Sequence, residues 1–137
     1  MTAGLLLLAH GARDPAWRQP FDQVTTRAEA ALPGREIRLA FLESMPPDLR
    51  TAGADLAQAG CTRVDIVPLF LGMGGHVRRD VPAQVTVLRA QFPGVDWCLH
   101  DAVGENAGVI AALAQAAVAA ATEATGVSPP AASGRTA

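Results

Sequence analysis

Val64-Asp65-Ile66-Val67-Pro68-Leu69-Phe70-Leu71-Gly72-Met73-Gly74-Gly75-His76-Val77-Arg78-Arg79-Asp80-Val81-Pro82 is the stretch on which the reading of this chain turns. It begins as an apolar run, Val64 to Phe70, broken only by Asp65 and Pro68. Runs of this kind suit a parallel strand covered on both faces. A glycine-rich turn follows, and from Asp80 onward Val81, Val85, Leu88 and Phe92 recur at helical spacing. Strand, glycine turn, helix: the segment reads as one β-α unit.

The same grammar recurs on either side. Leu5 to Ala9, Ile37 to Leu42 and the weaker Val95 to Leu99 read as three more strands. Phe21, Val24, Ala28 and Ala31 share a helical face, as do Leu49, Ala52, Leu56 and Ala59. Ile110, Leu113, Ala114, Ala117 and Val118 form a fourth stripe. Pro33-Gly34, Gly60 and Pro93-Gly94 stop the first three helices, and Asp14-Pro15, Pro47-Asp48 and Asp80 supply their starts. Four consecutive β-α units imply an α/β fold: a single-domain, four-stranded parallel sheet with right-handed crossovers and helices on both faces, in the flavodoxin-like order 2-1-3-4. The domain is expected over residues 1–121. From 122 to 137 the composition turns to Thr, Ser, Pro, Gly and Ala without a period, which predicts a disordered C-terminal tail.

Composition narrows the function. A chain of 137 residues is one domain's worth, with half its residues hydrophobic and 18% charged, which sets it apart from disordered chains and coiled coils. A net charge of −2 gives no electrostatic case for nucleic acid or an anionic membrane as partner. No stretch approaches the ~20 apolar residues of a membrane span, and Leu5 to Leu8 is too short for a signal sequence. Cys61 and Cys98 form no CxxC, so a reduced, cytoplasmic protein is expected, with each thiol a small hydrophobe beside a strand. All eleven basic residues are Arg, which excludes Schiff-base and P-loop chemistry, both of which need lysine.

In an open parallel sheet, ligands bind beyond the carboxyl ends of the strands, near the point where strand order reverses. All three histidines of the chain, His10, His76 and His100, fall on this edge, in the segments that follow the strands. His10 and His76 lie on loops that would flank the switch point between strands one and three, and Glu43 ends the neighbouring strand. Two imidazoles and a carboxylate around an open crevice can ligate a divalent transition ion with positions to spare. A structural histidine is the plainer reading of any one of them, and Asp101 can simply pair with His100. Gly72-Met73-Gly74-Gly75 is neither a Walker A nor a Rossmann motif; its glycines allow close approach to a flat or bulky ligand. Arg13, Arg78 and Arg79 share this edge, and Arg50 opens the second helix. Cations at helix starts oppose the macrodipole, which makes sense if an anionic ligand is met there; local neutralisation by Asp14 and Asp80 is the alternative.

At these residues the chain resembles a known family. Leu7-Leu8-Ala9-His10-Gly11-Ala12-Arg13-Asp14-Pro15, Phe41-Leu42-Glu43 and Val67-Pro68-Leu69-Phe70-Leu71-Gly72-x-Gly74-Gly75-His76-Val77-x-x-Asp80-Val81-Pro82 look like the short-form class II chelatases, which include the sirohydrochlorin cobaltochelatases and ferrochelatases. The likeness runs from about residue 4 to residue 120, and the third motif is long and specific. It implies a lyase that inserts a divalent metal, Co²⁺, Fe²⁺ or Ni²⁺, into sirohydrochlorin on the path to siroheme or cobalamin, with the metal as substrate and no organic cofactor. It further implies that His10, His76 and Glu43 hold the metal, that His10 and Glu43 take protons, and that Leu71, Gly72, Met73, Gly74, Gly75 and His76 contact the macrocycle. Arg13, Arg50, Arg78 and Arg79 would meet its carboxylates, and the chain would pair as a homodimer. One departure is Ala12, where the family commonly has Ser.

Two other readings use the same residues. A tetrapyrrole or metal carrier needs the ligands but no proton acceptor. A histidine-phosphatase-like hydrolase also sets His-Gly after its first strand but needs Arg before the His, where this chain has Ala9.

Overall fold

The computed structural model describes residues 2–124. Strand β1 (Thr2–Ala9) leads through a one-turn 3₁₀ helix (Pro15–Arg18) into helix α1 (Gln19–Ala31). Strand β2 (Glu36–Phe41), helix α2 (Leu49–Gln58), strand β3 (Cys61–Pro68) and helix α3 (Gly75–Gln91) follow. Strand β4 (Asp96–Leu99), a second 3₁₀ turn (Val103–Glu105) and helix α4 (Ala107–Ala124) complete the described chain. The four strands form one sheet in the order β2-β1-β3-β4, every pairing parallel, as expected from the sequence.

Central strand β1 explains its own composition. Successive side chains point to opposite faces, so Leu6 and Leu8 enter one core with α2 and α3, while Leu5, Leu7 and Ala9 enter a second core against α1. Leu6, Leu8, Val64, Ile66, Leu49, Leu56, Val81, Val85 and Leu88 are fully buried on the first side. Each such aliphatic side chain contributes about 1.5–3 kcal/mol on leaving water. On the second side Trp17, Phe21 and Ala28 pack against Ile37, Leu39 and Phe41, whereas Val24 and Ala31 face outward.

Three expectations need correction. Helix α3 starts at Gly75, with Gly74 at its N-cap, not at Asp80, and Pro82 lies inside it. His76, Arg78 and Arg79 therefore stand on the first turns of a helix and not on a loop. The stripe Ile110, Leu113, Ala114, Ala117 and Val118 is exposed, because α4 packs mainly on the turn before it rather than on the sheet. On the sheet face beyond β1, Asp65, Cys98 and His100 stand close together. Helix α4 also continues through Ala124, so residues 122–124 are helical; the rest of the expected tail, 125–137, lies outside the described residues.

Candidate functional site

The carboxyl ends of β1, β2 and β3 are tied together by backbone bonds that extend the ladder past the strands. Leu42 N–H donates to the Ala9 carbonyl (3.0 Å), Glu43 N–H to the His10 carbonyl (3.1 Å), and Leu69 N–H to the Leu8 carbonyl (2.7 Å). Gly11 has φ +92°, and a Cβ there would overlap the Glu43 carbonyl. Only glycine lets the two loops lie this close. His10 and Glu43 are thus fixed side by side by main chain, independent of their side-chain rotamers. The loop after β3 is braced in turn: Gly104 N–H donates to the Phe70 carbonyl (2.8 Å), and a Cβ on Gly104 would overlap the Leu71 backbone.

A cleft of about 120 Å³ forms where these ends meet α3, lined by His10, Leu42, Glu43, His76, Val77, Asp80 and Gln84. The three residues that sequence reasoning took as ligands share it. The His10 ring lies on Phe70 at 4.3 Å between centroids, with the planes 35° apart, and Phe70 is buried. The His76 side chain is 86% exposed, and its Nε2 meets Asp80 Oδ2 at 3.1 Å, one helical turn away. Among the described residues, the three donor groups of His10, Glu43 and His76 are not drawn together within 4.8 Å of one another, so the cleft is open rather than a closed cage.

The arginines divide. Arg78 donates to the Met73 carbonyl at 3.3 Å, bracing the glycine turn. Asp14 accepts from Ala16 N–H and Asp80 pairs with His76, and among the described residues no ion pair joins either carboxylate to Arg13 or Arg79. Both guanidiniums are exposed beside the histidines in sequence, Arg13 three residues after His10 and Arg79 three after His76. Arg50 lines a different cleft, with Asp48, Thr51, Ala54, Asp55, Gln58 and Gln91, and is not brought to the histidines. Leu71, Gly72, Gly74 and Gly75 are exposed and Met73 is half-buried, so the turn offers its backbone to solvent. Sequence reasoning misses Asp80 and Gln84 as site residues; their positions four and eight after His76, on one helical face, are the signal that could find them. His100 binds Asp65 (2.7 Å), not Asp101.

Comparison with known proteins gives the family and the fold. The family model of CbiX matches residues 4–120. The chain is 30% identical over 79 residues to the sirohydrochlorin cobaltochelatase of Methanococcoides burtonii, covering 58% of this chain and 60% of the relative. It is 25% identical over 115 residues to the sirohydrochlorin ferrochelatase of Bacillus subtilis, covering 82% of this chain and 43% of that one. It thus spans about half the length of these curated relatives. Among solved structures, a CbiX protein of Marinobacter aquaeolei VT8 superposes with a TM-score of 0.77 at 28% identity, over 88% of this chain and 98% of the other.

Proposed function

Because this chain belongs to the CbiX family, we propose that it is an enzyme that inserts a divalent metal ion into sirohydrochlorin, as the names of its relatives suggest. The observation that carries the reading is the single open cleft shared by His10, Glu43 and His76.

Metallation strips water from the ion and removes two pyrrole protons from the ring. Neutral imidazole can ligate the ion or accept a proton near neutral pH. Asp80 holds His76 through Nε2, leaving Nδ1 to ligate, in the manner of a carboxylate orienting a metal-bound histidine. Phe70 supports the His10 ring, which would ligate the incoming ion and, once the ion has passed to the macrocycle and freed its lone pair, take a pyrrole proton. Glu43 adds negative charge that favours the dication and takes the second proton. With no lysine in the chain, the acceptors at this cleft are His10, His76 and the carboxylates of Glu43 and Asp80, of which Asp80 is engaged by His76. The glycine turn lies against the macrocycle, and Arg13, Arg78 and Arg79 pair with its carboxylates through fork-shaped donors. Arg50, in its separate cleft, would serve a carboxylate only at the far rim.

The metal is Co²⁺ or Fe²⁺, the ions named in the relatives, and Ni²⁺ fits the same donors. Two free cysteines and the lack, among the described helices, of one long and apolar enough to cross a membrane fit a cytoplasmic enzyme. The functional unit is a homodimer: α4 carries no charged residue from Ala107 to Thr122 and exposes Ile110, Leu113 and Val118, which a second copy would cover.

The test is the absorbance change of sirohydrochlorin on metallation with Co²⁺, Fe²⁺ or Ni²⁺, with and without protein. Acceleration over the spontaneous rate is expected, and His10→Ala or His76→Ala should lower it at least a hundredfold with the fold unchanged by circular dichroism. Wild-type turnover in either variant would sink the assignment. Glu43→Gln should slow turnover while sparing macrocycle binding; tight binding with no acceleration by the wild type would instead mark a carrier.

A further inference from the structure

On the opposite side of the sheet from the histidine cleft, β3 and β4 assemble a second set of donors that metal insertion does not use. Asp65 and Cys98 are register partners across the parallel pair. Their side chains therefore project from the same face, and His100, two residues after Cys98, follows them because its N–H continues the ladder to the Ile66 carbonyl at 2.9 Å. This face is opposite the one on which Val64, Ile66 and Trp97 are buried. One carboxylate oxygen, one thiol sulfur and one imidazole nitrogen lie within 4.8 Å of one another, the single such set of three among the described residues.

We propose that Asp65, Cys98 and His100 form a second binding site for a borderline-soft divalent ion of the Zn²⁺ or Co²⁺ type. The donor chemistry is that of open tetrahedral sites, in which metal–ligand bonds of about 2.0–2.3 Å leave a fourth position to water. Such bonds set donors roughly 3–4 Å apart, a contraction that side-chain rotation supplies without moving either strand. The backbone places all three residues, so the set is preorganised by strand pairing.

The arginines around it are compatible with this role. Arg63 reaches Asp65 Oδ1 at 2.9 Å and Asp96 Oδ2 at 3.3 Å, and Arg35 lies 3.6 Å from Asp65 Oδ2. Burial pushes the Asp65 carboxyl up, but the hydrogen bonds from Arg63 and His100 outweigh it and hold the group below the usual range, already ionised for a cation. Arg63 is half-exposed and keeps Asp96 as partner when the ion takes Oδ1. On binding, the Cys98 S–H bond breaks, its proton passes to water, and the thiolate electron pair forms the bond to the ion. His100 gives up the Nε2 proton that it shares with Asp65, to water or by a tautomer shift to Nδ1, and the freed Nε2 lone pair forms a bond to the same ion. Ions enter through a cleft of about 440 Å³ that His100 shares with Asp101 and Glu105, whose carboxylates attract them. The other thiol, Cys61, is buried beneath α2, and burial pushes its pKa up, so it does not compete.

Sulfur ligation gives this site a signature that the histidine cleft, which has no sulfur donor, cannot produce. Co²⁺ is titrated into the full chain, with a non-thiol reductant, in a His10→Ala, His76→Ala double variant, and the thiolate-to-cobalt charge-transfer absorption is followed. One equivalent per chain is expected to saturate that band, with Cys61→Ser leaving it intact. Cys98→Ser should abolish the band, and His100→Ala should weaken Co²⁺ binding at least tenfold; circular dichroism checks that each variant is folded. Absence of the band in the double variant, its survival in folded Cys98→Ser, or unchanged affinity in folded His100→Ala would overturn the site. None of these outcomes depends on whether the chain metallates sirohydrochlorin.

Discussion

Gly11 and Gly75 bracket the histidine cleft, and the same residue type does different physical work at each. At Gly11 the positive φ and the adjoining Glu43 carbonyl leave no room for a side chain. Gly11→Ala is expected to destabilise the fold by more than about 1 kcal/mol, read from urea unfolding. At Gly75 nothing lies within 4 Å of where a methyl group would stand and the backbone is helical, so Gly75→Ala should leave stability within about 0.5 kcal/mol. If the turn lies against the macrocycle, Gly75→Ala should nevertheless weaken sirohydrochlorin binding, and unchanged binding would remove the turn from the substrate site. Asp65 supplies a pH test. Its folded pKa is depressed, so its stabilisation is present above the unfolded carboxylate value of about 3.9 and is lost as pH falls through the folded value. The stability gap between wild type and Asp65→Asn should shrink as pH falls below about 4.

Helix starts show how far local rules reach. Asp48 is recognisable from Pro47-Asp48, and it caps α2 by accepting from Thr51 N–H at 2.8 Å; the Thr51 side chain and that backbone bond hold its carboxyl below the usual range. Asp48→Ala should cost about 1 kcal/mol in thermal or urea unfolding. Asp80 with Pro82 offers an equally plausible start for α3, yet the helix begins five residues earlier. Gly74 has the extended backbone of an N-cap without a side chain to announce it, and Pro82 is tolerated inside the helix. The apolar stripe cannot locate a boundary in a segment whose first turn, Gly75 to Arg78, carries only one apolar side chain. That difference matters for the site: on a helix, His76 and Asp80 fall one turn apart and pair, a contact that a loop would not enforce.

At the scale of the molecule, the unfinished element is α4. An 18-residue helix with no charge before Glu123 should not stand in water, yet Ile110, Leu113 and Val118 are 55%, 49% and 65% exposed. For the proposed homodimer, light scattering coupled to gel filtration should give twice the chain mass, and Leu113→Asp should yield monomer with the sheet intact. A monomeric wild type would exclude the dimer.

The sequence by itself determined the order of elements, the parallel sheet with its reversal between β1 and β3, and the group His10, Glu43 and His76. Continuous apolar runs, glycine stops and histidines at strand ends are local signals, and right-handed crossovers leave few ways to assemble them. Only the tertiary structure separated Arg50 from the cleft, drew in Asp80 and Gln84, left α4 uncovered, and joined His100 to Asp65 rather than Asp101. Those outcomes depend on which residues from distant strands become neighbours. Asp65 and Cys98 lie 33 positions apart in the chain, and no local period relates them; the register of β3 against β4 does.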